Sequence, residues 1–257
     1  MISAVATESK TRRYHRSVSD NPHTSSRFIR VGLVALVTLS TLSISVEAHA
    51  WSNGTNGPNT FGTHDWIVRG GVRLAGRAGR WVCLRTAMRA TDDPDVRDGI
   101  DHPSGTWWRV WDEWGSTYGG APEAVAVWHR RAERKLARGR RCPASRALGL
   151  MAHMLGDVAQ PMHTDQTKAE DSVHSSYESA VDSRCGASSC RYRARNDGRD
   201  AGAPYNRTRA LARQAHNDYT ALVRSYRRGG YTSRVDAITK RQLNRVANVL
   251  ADLIRSM

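Results

Sequence analysis

The feature that most constrains this chain is a group of five potential metal ligands between positions 153 and 178. They are His153, Asp157, His163, His174 and Glu178. Residues four apart share one face of an α-helix, so His153 pairs with Asp157 and His174 pairs with Glu178. Imidazole nitrogens and carboxylate oxygens together suit zinc. The segment therefore predicts a metal site, and five ligands so close together favour more than one ion.

The hydrophobic pattern predicts an all-α fold, because apolar residues recur at helical spacing and no region alternates as a strand does. We expect helices over about 63–91, 122–139, 143–160, 208–227 and 235–256, and one more around His174 and Glu178. The first contains four glycines that favour a break into two, namely Gly70, Gly71, Gly76 and Gly79.

Prolines mark several helix ends. Pro122 and Pro143 stand where a first helical turn accepts proline, and Asp92-Asp93-Pro94 ends the first helical region. Pro161 ends or kinks the helix that carries His153 and Asp157. His163 is therefore expected to point in a different direction from Asp157.

Residues 1–50 have the composition of a secretion signal with a long extension. Arg27 and Arg30 precede an apolar run over 31–46, and Ala48-His49-Ala50 has the small-x-small form of a signal-peptidase site. The apolar run is short and diluted by Thr and Ser, so it does not suit a membrane span. We predict a secreted protein cleaved after Ala50, in which 51–257 form a single compact multi-helix domain beginning at Trp51.

The chain is strongly basic, with 39 Lys and Arg against 24 Asp and Glu and a formal net charge of +15. Such a surface favours polyanions, either nucleic acid or an anionic membrane. An Arg-rich composition can also be a property of the genome, so the charge does not by itself select a partner.

The four cysteines lie after the predicted cleavage site, and an exported protein meets oxidising conditions. Cys185 and Cys190 flank a short loop, so we expect them to pair and to leave Cys83 with Cys142. No CxxC pair is present, and a zinc-thiolate site is not expected.

The motif His153-x-Leu-Gly-Asp157-Val-x-Gln-Pro-Met-His163, followed by His174-Ser-x-Tyr-Glu178, resembles the core of the bacterial zinc-dependent phospholipases C. Members of that family have an all-α catalytic domain with three zinc ions in a cleft. They begin with a Trp that binds zinc through its α-amino group and carbonyl oxygen, and a His follows thirteen residues later. Trp51 and His64 stand at that offset in this sequence.

The resemblance implies a ligand set and an activity. One zinc would be bound by Trp51, His64 and Asp157, another by His163, His174 and Glu178, and a third in part by His153 and Asp157. The implied activity is hydrolysis of the glycerol-side phosphodiester bond of phospholipids to diacylglycerol and a phosphorylated head group. The implied partner is a phospholipid membrane surface as substrate, and no protein partner is implied.

The chain departs from the family at the third zinc, which members complete with an Asp and a His. Asp101 is the favoured Asp and the expected general base, with Asp98 as the alternative. Arg109 stands where the family has the His, and an arginine does not give up its proton to bind zinc. Either His102 supplies the missing ligand or Arg109 clamps a phosphate.

Two other functions fit parts of the sequence. The secreted zinc-dependent single-strand nucleases share a His-x-x-Gly-Asp-x-x-Gln-Pro-x-His core, and the positive charge suits a phosphodiester polymer. They place their first His closer to the terminal Trp, however, and their last ligand pair ends in Asp where this chain has Glu178. The other alternative is a metal-binding or membrane-binding homologue of weakened activity, which Arg109 favours.

Overall fold

Helices supply all of the regular structure in the residues described by the computed structural model, which are 51, 61–96, 120–164, 172–185, 192–198 and 202–257. The all-α prediction is confirmed for these residues. All of them fall in one unit, Val46–Met257. The predicted signal peptide over 1–50 lies outside the described residues. None of the described helices combines the length and the apolar character that crossing a membrane requires.

The elements follow one another along the chain as a series of helices. The first group is α1 (Thr63–Ala75), a 3-10 helix (Gly76–Trp81), α2 (Leu84–Thr91) and the short α3 (Asp93–Val96). The second group is α4 (Ala121–Leu136), α5 (Arg141–Ala159), a 3-10 helix (Pro161–Thr164) and α6 (His174–Cys185). The last two helices are α7 (Pro204–Gly229) and α8 (Ser233–Arg255).

The predicted break in the first helical region occurs at Gly76. This residue has a φ of 60°, a conformation that glycine adopts without the steric cost of a side chain. Its N–H bonds to the carbonyl of Arg73 and closes the last turn of α1. The chain then passes through a 3-10 helix, which separates α1 from α2.

Other boundaries differ from the sequence-based expectation by a few residues. α5 begins at Arg141, which places Pro143 inside its first turn, where no N–H is required. α7 begins at Pro204 rather than near 208, again with proline in the first turn. α8 begins at Ser233 because the side chain of Thr232 accepts a hydrogen bond from the N–H of Val235 and caps the helix.

α5 is the central helix of the fold. Every residue from Ala147 to Ala159 is buried, and α1, α2, α4, α7 and α8 all contact it. A helix that is buried on all sides gives no strong amphipathic signal. The polar side chains of α5, His153 and Asp157, are therefore enclosed by the neighbouring helices.

α2 runs alongside α5 in the same direction and very close to it. Three contacts at successive helical turns show this register: the N–H of Cys83 donates to Ser145 Oγ at 2.8 Å, Ala87 faces Gly149, and the carbonyl of Thr91 meets His153. A Cβ atom at Gly149 would lie 2.1 Å from the carbonyl oxygen of Ala87. Glycine at this position is what allows the two backbones to approach.

A disulfide bond locks the beginning of this helix pair. Cys83 is bonded to Cys142, with their Cα atoms 5.1 Å apart, as the sequence predicted. Cys185 is also disulfide-bonded, and its expected partner Cys190 lies outside the described residues. The Cys83–Cys142 bond closes a loop of 59 residues and ties the start of α2 to the start of α5.

The close approach at Gly149 generates a stability prediction. We expect Gly149→Ala to lower the free energy of unfolding by about 3 kcal/mol, because the new methyl group overlaps the backbone of α2. Gly70→Ala is the matched control, since its Cβ would meet Ala247 and Ala194 at ordinary distances of 3.5 and 3.7 Å. Chemical denaturation of both variants measures the difference, and equal stability of the two would contradict the proposed packing.

Candidate metal centre

The first ligand cluster lies where the start of α1 meets α5. It consists of His64, His153 and Asp157, whose potential ligand atoms all lie within 4.8 Å of one another. The Asp157 carboxylate contacts both imidazoles, with Oδ1 3.5 Å from His64 Nε2 and Oδ2 3.3 Å from His153 Nε2. The two imidazole rings stack with centroids 4.4 Å apart. All three side chains are at most 1% exposed.

Two neighbours fix the orientation of these histidines. His153 Nδ1 lies 2.8 Å from the carbonyl oxygen of Thr91, which can only accept, so Nδ1 is the donor and Nε2 is left facing Asp157. His64 lies against Gly156, where a Cβ atom would be 2.5 Å from His64 Nδ1. The absence of a side chain at Gly156 therefore makes room for the His64 ring.

The second cluster combines the 3-10 helix after Pro161 with the first turns of α6. His163 Nε2 lies 2.9 Å from His174 Nε2, and these nitrogens lie 3.4 and 2.8 Å from Glu178 Oε1. Burial raises the pKa of Glu178, but hydrogen bonds from both histidines outweigh it and lower the pKa to about 2. Glu178 is thus held as a carboxylate at neutral pH.

The two clusters differ in their access to solvent. The side chains of His163 and His174 are 12% and 15% exposed, whereas those of His64 and His153 are almost fully buried. The described part of the site therefore opens to solvent at the second cluster.

Gln160 is a site residue to which the sequence assigned no role. Its amide nitrogen lies 3.1 Å from Glu178 Oε1 and 3.0 Å from His174 Nε2, and its amide oxygen accepts from the N–H of Met162 at 2.5 Å. It is fully buried. Gln160 thus joins the end of α5, the turn at Pro161 and the second cluster. The sequence signal that could have indicated this role is a glutamine directly before a helix-ending proline, inside the ligand motif.

Trp51 lies at the second cluster. Its side chain is fully buried, and its backbone nitrogen donates to Glu178 Oε1 at 3.2 Å. The family resemblance implied a zinc ion bound by Trp51, His64 and Asp157, whereas the nitrogen of Trp51 donates to the carboxylate of Glu178 in the other cluster. Trp51 also has a φ of 34°, which is unfavourable for a residue with a large side chain.

The remaining predicted site residues lie outside the described part of the chain. They are Asp98, Asp101, His102 and Arg109. The ligands that would complete a third zinc site and the identity of the general base therefore stay predictions.

The geometry of the first cluster fits a small cation with nitrogen and oxygen ligands, whereas the second cluster has contacts of 2.9 Å between His163 and His174 and 2.8 Å between His174 and Glu178, which are hydrogen-bond distances. Tetrahedral zinc with bonds of about 2.0–2.2 Å has ligand-to-ligand distances of roughly 3.3–3.6 Å, and the first cluster has contacts of 3.3 and 3.5 Å. Asp157 Oδ1 is buried and accepts no hydrogen bond within the described residues. Burial of such an oxygen is costly unless a positive group faces it. A metal ion meets that requirement.

A cavity of about 410 Å³ lies between the start of α1 and α2, and none of its lining residues belongs to either ligand cluster. Its lining combines apolar Phe61, Leu84 and Met88 with the cations Arg85 and Arg89 and the acids Asp65 and Asp92. Burial is the main cause that raises the pKa of Asp65, to about 7, although the N–H of Gly62 lowers it.

Comparison with known proteins gives matches of structure and none of sequence. No known family profile and no curated protein matches this chain. The alpha-toxin of Clostridium perfringens from avian strain SWCP superposes with a TM-score of 0.60 and 17% identity over 77% of this chain and 63% of its own. The alpha toxin of Clostridium absonum gives a TM-score of 0.58 and 14% identity over 77% and 64%.

These matches establish the fold. The chain spans just under two thirds of the length of each alpha-toxin, and the identity is too low to carry more than architecture. This all-α chain therefore shares the helical fold of the corresponding part of the clostridial alpha-toxins.

The contact between Gly156 and His64 generates a prediction about metal binding. We expect Gly156→Ala to weaken zinc binding about tenfold or more, because the added methyl group displaces the His64 ring. Titration calorimetry with zinc measures the effect. Gly70→Ala, on the same helix as His64, is the control and should bind zinc like the parent. Unchanged zinc affinity in a folded Gly156→Ala protein would exclude His64 as a ligand.

Proposed function

We propose that this chain is a secreted, zinc-dependent phosphodiesterase of the phospholipase C type. The observation that carries the proposal is the convergence of six side chains into two clusters of nitrogen and oxygen ligands: His64, His153 and Asp157 in one, and His163, His174 and Glu178 in the other. They come from four separate segments of the sequence. A resemblance based on short motifs and a fold found by superposition thus support the same assignment.

In this proposal His64, His153 and Asp157 hold zinc in the buried part of the site, and His163, His174 and Glu178 hold zinc at its open side. Zinc, when bound, polarises phosphoryl oxygens and lowers the pKa of water. Asp101 is the proposed general base and takes the proton of the water that attacks phosphorus. The glycerol-side P–O bond breaks, the glycerol oxygen takes up a proton from water, and diacylglycerol leaves while the phosphorylated head group is released.

The cavity between the start of α1 and α2 has features that suit a phospholipid substrate. Phe61, Leu84 and Met88 offer apolar surface, and Arg85 and Arg89 offer charge for a phosphate. An amphiphile has both features within one molecule. The strong net charge of +15 favours the nuclease alternative as well, so the two substrates require a direct comparison.

The substrate prediction is that zinc-loaded protein hydrolyses phosphatidylcholine and leaves single-stranded DNA intact. We expect chelation, or His163→Ala, to lower the rate by more than about a hundredfold, because each removes part of the zinc site. His129→Ala is the matched control. His129 is also buried, but its ring bonds to the carbonyl of Leu253 and to Ser256, away from the clusters.

Release of diacylglycerol and cleavage of DNA are measured in parallel on the same preparation. Cleavage of DNA without cleavage of lipid would replace the phospholipase assignment with the nuclease. Zinc binding with neither activity would identify the weakened homologue. Full activity after exhaustive chelation would exclude a zinc mechanism altogether.

A second prediction concerns the chain end at Trp51. An amide nitrogen holds its proton too tightly to bind zinc, whereas a free α-amino group can do so, so cleavage after Ala50 would create a ligand. We expect protein that retains Ala50 to bind about one zinc ion fewer than protein that begins at Trp51, as measured by elemental analysis. Protein that begins with Phe in place of Trp51 keeps the amino group and should keep the zinc. Equal zinc content with and without Ala50 would exclude the terminal ligand.

A further inference from the structure

The turn between α7 and α8 carries a group of arginines that the ligand clusters do not use. They are Arg224, Arg227, Arg228 and Arg234, here called the cationic tip, and all four are exposed. The sequence has no Asp or Glu from position 219 to position 235. Within the described residues none of the four forms an ion pair. The tip is therefore a local excess of positive charge.

The carboxylates that flank the cationic tip already have partners. Asp218 accepts from Arg241 at 2.6 Å and from Arg245 at 3.2 Å. Asp236 pairs with Lys240 at 2.6 Å and accepts from the hydroxyl of Tyr192. The charge of the tip is thus available to an external anion.

The cationic tip lies at the same end of the molecule as the ligand clusters. α1 and α8 run in the same direction, because Gly70 faces Ala247, Gly71 faces Leu250, and Arg255 bonds to the carbonyl of Leu74. His64 stands at the beginning of α1 and the tip precedes the beginning of α8. At a rise of about 1.5 Å per residue, the start of α8 projects roughly 12 Å beyond the level of His64.

Aromatic contacts connect the cationic tip to the open side of the site. Tyr177 follows His174 by about one turn of α6 and precedes Glu178. Its ring packs edge-on against Tyr226 at 5.6 Å and is stacked with Tyr231 at 6.4 Å. Both of these tyrosines belong to the α7–α8 turn region that bears the arginines. The tip therefore stands beside the second cluster, whose two histidines are 12% and 15% exposed.

We propose that the cationic tip is the surface by which this protein docks on an anionic phospholipid bilayer, with the open side of the metal site turned towards the lipid. The inference rests on the proposed function, because it supplies the approach to that substrate. Exposed arginines at the end of a helix pair attract an anionic membrane surface.

The geometry favours a bilayer over a nucleic acid strand at this surface. Proteins that bind single strands offer free aromatic faces for stacking bases. Here the guanidinium of Arg184 covers the Tyr231 ring at 3.6 Å, and Tyr177 stacks with the same ring.

The test uses purified, zinc-loaded protein that begins at Trp51 and two matched double variants. Arg227→Gln with Arg228→Gln removes two charges from the tip. Arg138→Gln with Arg140→Gln removes two exposed charges from the α4–α5 turn, at the opposite end, where Arg141 bonds to the carbonyl of Trp81. Binding to phosphatidylcholine vesicles with and without phosphatidylglycerol is measured by sedimentation, alongside hydrolysis of a soluble phosphodiester.

We expect the tip variant to bind phosphatidylglycerol vesicles on the order of twentyfold more weakly, at about fivefold for each charge, while the control changes little. Hydrolysis of the soluble substrate should be equal in all three proteins. Arg224→Gln with Arg234→Gln should repeat the loss and serves as the second variant if the first does not fold. Equal losses in the tip and control variants would overturn the proposal, as would a tip variant that loses DNA binding and keeps vesicle binding.

The outcomes separate this proposal from the proposed function. Vesicle binding that depends on the tip, without hydrolysis of any phosphodiester, would leave the docking surface in place and remove the phospholipase assignment. Hydrolysis of phospholipid by a protein whose vesicle binding does not depend on the tip would support the phospholipase assignment and exclude the docking surface.

Discussion

The rest of this structure depends on one constraint, which is that α5 is buried on every side and yet carries His153 and Asp157. Polar side chains in a protein interior are costly unless each finds a partner. The partners here come from neighbouring helices: the carbonyl of Thr91 at the end of α2 faces His153, and His64 at the start of α1 faces Asp157. The positions of α1 and α2 are therefore tied to the polar chemistry of α5 as well as to its apolar packing.

Small residues and a cross-link make this arrangement possible. Gly149 lets α2 approach α5 at backbone distance, and Gly156 lets the His64 ring lie against the same helix. The Cys83–Cys142 bond fixes the start of the α2 and α5 pair at the end that the ligands do not occupy. The α2 and α5 pair thus holds the first cluster in place. The turn at Pro161 and the buried amide of Gln160 hold the second cluster in place.

The sequence predicted the parts of the structure that depend on local pattern. Helical spacing placed His153 with Asp157 and His174 with Glu178, and Pro161 correctly separated the direction of His163 from that of Asp157. Contacts between residues that are far apart in the sequence could not be predicted from local pattern. Nothing near Thr91 indicates that its carbonyl faces His153, and the bond from the nitrogen of Trp51 to Glu178 joins residues that are 127 positions apart. Gln160 was visible in the motif, but two of its three contacts are to side chains of α6.

The burial of Trp51 has a practical consequence for any protein that begins at this residue. Its side chain is fully enclosed and its nitrogen faces Glu178, so the chain end would lie inside the protein and not on its surface. An aminopeptidase needs an extended, accessible terminus, and this one would be protected while the fold persists. For the same reason a purification tag belongs after Met257 and not before Trp51.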